Sequence, residues 1–206
     1  MPTSQQTQNA LERFITKTRD LFTEESDPER RWTELTPILA ELLADPEVVE
    51  AAKQWTETGF RDDRATNLLF YEDPDFGFAI NGLHKRSDRE GRTLIHDHAH
   101  IYTLYGVLDG HERIERYERL DDRSKPDYAE IRRSDDVVVG PGDIDLVRPY
   151  QVHAEVAMGE RTVAVVVRSQ KGGEFNQGRY DPETNEYWES LGPRQISADM
   201  LPVGAA

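Results

Sequence analysis

The chain contains no cysteine among its 206 residues. That excludes disulfide staples, a thiolate nucleophile and structural zinc sites of the cysteine-rich kind, so any metal must be held by His, Asp or Glu. A basic surplus is missing as well: 25 Lys and Arg stand against 40 Asp and Glu, a formal net charge of −15. So acidic a chain is repelled by nucleic-acid phosphates and by anionic lipid, which predicts neither nucleic-acid nor membrane partners. No apolar run approaches the length of a membrane span. Met1-Pro2-Thr3-Ser4-Gln5-Gln6 has neither the basic nor the apolar part of a secretory signal, so the expected location is cytoplasmic. Internal repeats and low-complexity tracts are also lacking. With 36% apolar residues the length suits one structural domain with a core of its own.

The first third carries helical periodicity. Leu11, Phe14, Ile15, Thr18 and Phe22 fall on one helix face, and Trp32, Leu35, Ile38, Leu39, Leu42 and Leu43 on another. Ser26-Asp27-Pro28-Glu29 and Ala44-Asp45-Pro46-Glu47 each put Asp at the N-cap, Pro at the first helical position and Glu in the first turn. Three short helices are therefore expected between about residues 7 and 57. From Asn67 onward the texture changes to short runs rich in Val, Ile, Tyr and Phe, separated by turn signals such as Asp109-Gly110 and Pro141-Gly142. Candidate strands cover 67–71, 76–83, 93–98, 101–108, 111–118, 128–132, 136–139, 144–147, 152–156 and 161–168. Such strands with no helix between them imply a sandwich or barrel. The expected organisation is a helical segment over 1–60, a barrel over 61–175 and a surface-wrapping tail over 176–206, all one structural domain.

Against this background Leu94-Ile95-His96-Asp97-His98-Ala99-His100 stands out, because it holds three of the six histidines. In an extended chain His96, His98 and His100 share one face, with Asp97 and Ala99 on the other. Neutral imidazole is the commonest protein ligand for iron, copper, nickel and zinc, and two ligands at i and i+2 of a strand can converge on one ion. His153 supplies a further imidazole from a distant strand, after the turn Val139-Gly140-Pro141-Gly142-Asp143. The competing readings are a solvated strand face or an adventitious metal binder. Tyr102 and Tyr105 follow on the next strand; core aromatics are the first reading of both, and Tyr102, which shares the histidines' parity, is the pocket candidate.

A β-barrel texture, a His-x-His strand and a distant histidine resemble the cupin superfamily. Its first motif closes on a glycine twelve residues after the second histidine, as Gly110 does after His98. His100 leaves only ten, so His96 and His98 are the pair and His100 is a fourth ligand, a base beside the ligands or part of the pocket. The second motif spans eleven residues from glycine to histidine, as Gly142 to His153 does, though Arg148, Tyr150 and Ala157 replace its usual Pro, Gly and Asn. The first motif's glutamate falls at Tyr102 or Thr103 and is missing. The resulting three-histidine set is similar to that of the cysteine dioxygenase and 3-mercaptopropionate dioxygenase group. His96-Asp97-His98, Leu108-Asp109-Gly110, Asn67-Leu68-Leu69 and Arg179-Tyr180-Asp181 carry that likeness, which covers the chain from Leu11 to Asp181.

The resemblance implies a mainly β fold, a cupin double-stranded β-helix or jelly-roll barrel with an N-terminal helical segment, present as a monomer or homodimer. It implies Fe(II) on His96, His98 and His153, with nickel, copper, manganese or zinc chemically compatible with imidazole. The implied reaction is O2-dependent oxidation of a small thiol, of the cysteine or 3-mercaptopropionate type, to a sulfinate. The departures are specific. Thr66 stands where the animal enzymes have a carboxylate-binding Arg, with Arg64 two residues away, and Thr103 stands where they have a thioether cysteine. Val166, Arg168 and Gln170 replace the usual Ser-His-Tyr relay, while Arg179 falls at the spacing of the carboxylate-binding Arg of the bacterial enzymes. Arg179, Arg168 and Arg64 are thus the candidate substrate-binding residues, with structural ion pairing as the competing role. His100 and Tyr102 are the candidate catalytic groups. Other outcomes of the same fold are a dioxygenase cleaving C–C bonds of a diketone or phenolic ketone, an isomerase, or a non-catalytic metal- or ligand-binding cupin.

Overall fold

The helices begin where their capping residues dictate. In the computed structural model, which describes residues 8–59, 65–86 and 91–201, Asn9 accepts from the Glu12 amide while Glu12 accepts from the Asn9 amide, both at 2.9 Å. That reciprocal cap starts α1 (Ala10–Glu24). Asp27 and Asp45 cap α2 (Pro28–Leu43) and α3 (Pro46–Ala52), each with proline at the first helical position, as the sequence predicts. The apolar faces of the helices, including Phe14, Phe22, Trp32, Leu35 and Leu39, pack on one β-sheet through Phe78, Ile80, Leu104, Val163, Val165 and Val167.

Twelve strands follow among the described residues: β1 (Thr66–Glu72), β2 (Ala79–Arg86), β3 (Ile95–His96), β4 (Thr103–Asp109), β5 (Glu112–Arg119), β6 (Ile131–Val139), β7 (Ile144–Val147), β8 (Val152–Ala157), β9 (Arg161–Arg168), β10 (Asn176–Asp181), β11 (Glu186–Leu191) and β12 (Arg194–Ser197). They form two six-stranded sheets, ordered β12-β1-β2-β9-β4-β7 and β11-β10-β3-β8-β5-β6. The strands from β2 to β9 divide four and four between the sheets, as β2-β9-β4-β7 and β3-β8-β5-β6. That is the strand order of a jelly roll, the double-stranded β-helix that cupins share. β9 shows why the sequence folds this way. Its Thr-Val-Ala-Val-Val-Val run is buried throughout because one face meets the helices and the other, through Ala164 and Val166, meets the barrel interior.

Two expectations need correcting. The end of the segment 128–132, from Ile131, and the segment 136–139 belong to one strand, β6, whose pairing with β5 shifts between Arg116 and Tyr117, so that Ser134 is an extra, bulged residue, while Tyr128 makes an isolated bridge to Glu186. The tail also does more than wrap the surface. β10 pairs with β3 and β11 to extend one sheet, and β12 runs parallel to β1 at the edge of the other. Gln177 and Tyr180 are buried in this extension. Its charged, half-exposed strands, such as Glu186–Leu191, hid the β pattern. Among the described residues no helix is long and apolar enough to cross a membrane.

Candidate metal centre

His96 and His153 are brought together by strand register alone: they are Cα partners across the antiparallel β3–β8 pair. His98 follows two residues later, and the ligand atoms of the three imidazoles lie within 4.8 Å of one another. Their ring centroids are 4.4 to 5.1 Å apart, and the Nε2 atoms of His96 and His98 approach to 3.2 Å. Backbone carbonyls set the tautomers. His96 Nδ1 donates to Leu94 O at 2.9 Å, and His153 Nδ1 donates to Gln151 O at 3.0 Å, which leaves both Nε2 atoms as lone-pair donors. His153 Nε2 is buried with no hydrogen-bond partner. Burial, then the neighbouring His153, pushes His96 down to about 3, and the same two causes hold His98 well below the ordinary imidazole range. Three imidazoles whose nitrogens converge within 4.8 Å, with His153 Nε2 left without a partner, fit a cation.

The His-Asp-His loop is held from below by Asp97. Its Oδ1 accepts from the Ala99 amide (2.7 Å) and the Gly178 amide (3.1 Å), and its Oδ2 accepts from the Tyr180 hydroxyl (2.6 Å). The Asp97 amide donates to Gly178 O at 3.1 Å. Gly178 has to be glycine, because a Cβ there would sit 2.5 Å from Asp97 Oδ2. Burial, then this bond to Asp97, pushes the Tyr180 phenol far above its ordinary value.

Sequence reasoning overestimated how far the strand runs. β3 ends at His96, and Ala99 adopts φ +50°, so the chain turns and parity fails. His100 consequently leaves the cluster: its Nε2 lies 2.9 Å from Gln170 Oε1 and its ring packs beside Phe175. Tyr102 points to the opposite side of the sheet, stacked on Trp32 with its hydroxyl donating to Glu29 at 3.3 Å. Neither expected catalytic residue is at the site. Arg64 lies outside the described residues.

Arg168 and Arg179, by contrast, line the same cavity as His96 and His98, a space of about 640 Å³. Arg179 is the register partner of His96 across β10 and β3, and donates to Gln177 Oε1 (3.1 Å) and Gly178 O (3.2 Å). Arg168 ends β9, where it donates to Asn81 Oδ1 at 2.9 Å. With its amide nitrogen donating to Thr66 O, Asn67 accepts from both terminal nitrogens of Arg168, at 2.9 and 3.2 Å.

Several site residues escaped the sequence reading. Glu155 lies at the i+2 position from His153, with Oε1 3.8 Å from His153 Nε2, and its other oxygen accepts from the Thr93 hydroxyl at 2.7 Å. Burial works against its ionisation, but the neighbouring His96 imidazole, the Lys85 ammonium and the Thr93 hydroxyl hold it well below the ordinary carboxylate range. Lys85 is itself paired with Glu112 at 2.7 Å, both side chains buried, and Glu112 accepts from the Tyr105 hydroxyl at 2.7 Å. Strand parity from His153 would have flagged Glu155. Nothing local marks Gln177 or Trp188, which arrive from the appended strands β10 and β11.

Fold and site together define a jelly roll whose interior carries a three-histidine cluster fit for a metal ion. No protein-family model matches the chain, and no curated protein matches it. Among solved structures it is similar to a hydroquinone 1,2-dioxygenase in complex with Cd2+ and 4-hydroxybenzonitrile, at 13% identity and a TM-score of 0.41, over 73% of this chain and 75% of that one. A protein from Klebsiella pneumoniae with a double-stranded β-helix domain gives 15% identity and 0.37, over 69% and 89%. A cupin-2 domain protein from Shewanella frigidimarina gives 13% and 0.37, over 57% and 87%. The strand order, not these distant likenesses, carries the fold class.

Proposed function

We propose that this protein is a mononuclear metal-dependent dioxygenase that holds Fe(II) on His96, His98 and His153 and oxidises a small thiol to a sulfinate. The observation that carries this reading is the convergence of the three imidazoles in a cavity, with two Nδ1 atoms pinned to carbonyls so that their Nε2 atoms face inward. Bound there, Fe(II) would supply Lewis acidity and reactivity toward O2, with coordination positions left open by only three neutral protein ligands. The chain supplies the rest. Carbonyls of Leu94 and Gln151 fix ring orientation, Asp97 fixes the loop between the first two ligands, and Glu155 places a negative charge that favours a cation. Arg179, opposite His96, offers a guanidinium to a substrate carboxylate.

Oxygen uptake by anaerobically Fe(II)-loaded protein tests the reading, with cysteine, 3-mercaptopropionate, cysteamine and mercaptosuccinate as substrates. Uptake with one of these, abolished by His153→Ala, is the expected result; no uptake despite stoichiometric iron would overturn the thiol assignment. A second reading is favoured by one observation. The positions expected for the thiol relay hold a fully buried valine (Val166), a buried Arg168 and Gln170, which is tied to His100. A dioxygenase cleaving a diketone or phenolic ketone needs no such relay, and acetylacetone belongs in the same uptake panel.

A further inference from the structure

Arg168 is a buried cation that no carboxylate among the described residues touches, although the charge of Glu155 across the cavity favours its ionised form. It is 5% exposed and makes no ion pair among the described residues, although it shares the cavity with His96 and His98. Its known partners are two amide oxygens. Both Nη1 hydrogens go to Asn67 and Asn81, and one Nη2 hydrogen goes to Asn67, while Nε has no partner at all. What the asparagines leave over is the Nε–Nη2 edge, the side of a guanidinium that matches the two oxygens of a carboxylate. Burial pushes Arg168 down to about 10, still fully charged near neutrality. Lys85, the other buried cation on this wall, is spent on Glu112.

The remainder of the cavity has a different chemistry. Leu83, Leu94, Trp188, Leu191 and Pro193 line it, and Leu94 and Leu191 are 41% and 61% exposed. Large exposed apolar side chains grouped on one cavity are the mark of a ligand-binding surface. A space of about 640 Å³ also far exceeds what a three-carbon acid fills. Glu155 on the same cavity disfavours a second anionic group on the ligand.

From these features we infer that the ligand is a monocarboxylate with a ring-sized apolar body, its carboxylate seated on Arg168 and its body along Leu94, Trp188 and Leu191. This rests on the reading of the cavity as a substrate site and deepens it: Arg168 takes the carboxylate in place of Arg179, which is bonded to Gln177 Oε1 and Gly178 O, and among acids that reach the site the ring-bearing ones are held more tightly than the smallest. The asparagines act as positioning residues that aim the guanidinium edge and keep other carboxylates off it.

The test is calorimetric and needs no turnover. Binding of 3-phenylpropionate, propionate and 3-phenylpropionamide is measured on metal-free and Co(II)-loaded protein, beside a Co(II) titration of wild type and His153→Ala. The expected result is 3-phenylpropionate binding at least about tenfold more tightly than either partner compound, one lacking the ring and the other the charge. Trp188→Ala should remove the preference over propionate while sparing the preference over the amide. Arg168→Lys, which keeps the charge but loses the fork, should weaken both carboxylates by about tenfold and leave the amide unchanged. Equal affinity of acid and amide in the wild type would overturn the proposal whether or not the variants fold. Failure of Co(II) to bind would instead sink the metal-centre reading, and the metal-free measurements would still decide the carboxylate seat.

Discussion

The floor and the mouth of the cavity are built on different principles. At the floor, His96, His153 and Arg168 come from strands inside the jelly roll, and a single register relation, His96 opposite His153, fixes two of the three imidazoles. At the mouth, Gln177, Arg179, Trp188 and Leu191 come from β10 and β11, which are added to the edge of the barrel. At the floor the imidazoles are pinned by backbone carbonyls and Arg168 by two asparagine side chains; the mouth, apart from the buried Gln177, is half-exposed. The difference separates chemistry from shape: the reactive centre is set by the fold's own pairing, and the dimensions of the ligand by an extension that can vary.

The sharpest way to break the comparison is His153→Ala, which takes one ligand from the floor. Affinity for Co(II) should fall by more than about three orders of magnitude, roughly 4 kcal/mol, whereas Leu191→Ala at the mouth should leave it unchanged. Competitive titration with a chromophoric chelator reads both. Next in size is Lys85→Met, which strands the Glu112 carboxylate in the barrel interior. A loss of about 3 kcal/mol in denaturant unfolding is expected, largely recovered in the double variant with Glu112→Leu. Gly178→Ala attacks the seam between the two regions, since the new methyl meets Asp97 Oδ2 at 2.5 Å. It should cost about 2 kcal/mol of stability and also weaken Co(II) binding, a pairing of effects that no other mouth variant should show.

Per pH unit, the smallest effect is a pH dependence of the metal-free protein. His96 has a folded value of about 3 against an ordinary 6.5, so the unfolded chain takes up a proton that the folded one refuses. The stability contributed is therefore fully present above pH 6.5 and declines as pH falls from there toward 3, by about 1.4 kcal/mol per pH unit at most. Equilibrium unfolding of wild type and His96→Gln across that range should show a shallower slope in the variant, where His98 keeps part of the dependence.

Much of the floor was legible in the sequence. The spacing of His96, His98 and His153 pointed to one cluster, and the Asp-Pro caps at Asp27 and Asp45 placed the helices to the residue. Parity arguments failed at Ala99, where a positive φ in a non-glycine residue reverses the chain, and His100 and Tyr102 were lost with it. A local Asx-type hydrogen bond from the Ala99 amide to the Asp97 side chain two residues back stabilises that turn, a signal that the strand reading of the segment passed over. The mouth was illegible for another reason. Strands exposed on one face and rich in Glu, Asn and Arg, such as β10 and β11, read as loop until their partners are known.

Asp97 joins these two regions, since one carboxylate holds the turn between two histidines and two groups of β10. In evolutionary terms the seam is a constraint on how the family of such sites can diversify. A lineage that moved the β10 backbone to admit a different ligand would drag the histidine loop with it and lose its metal geometry. The side chains of Trp188 and Leu191 on β11 make no bond to that seam, so exchanging them leaves the carboxylate's hold on the histidine loop intact.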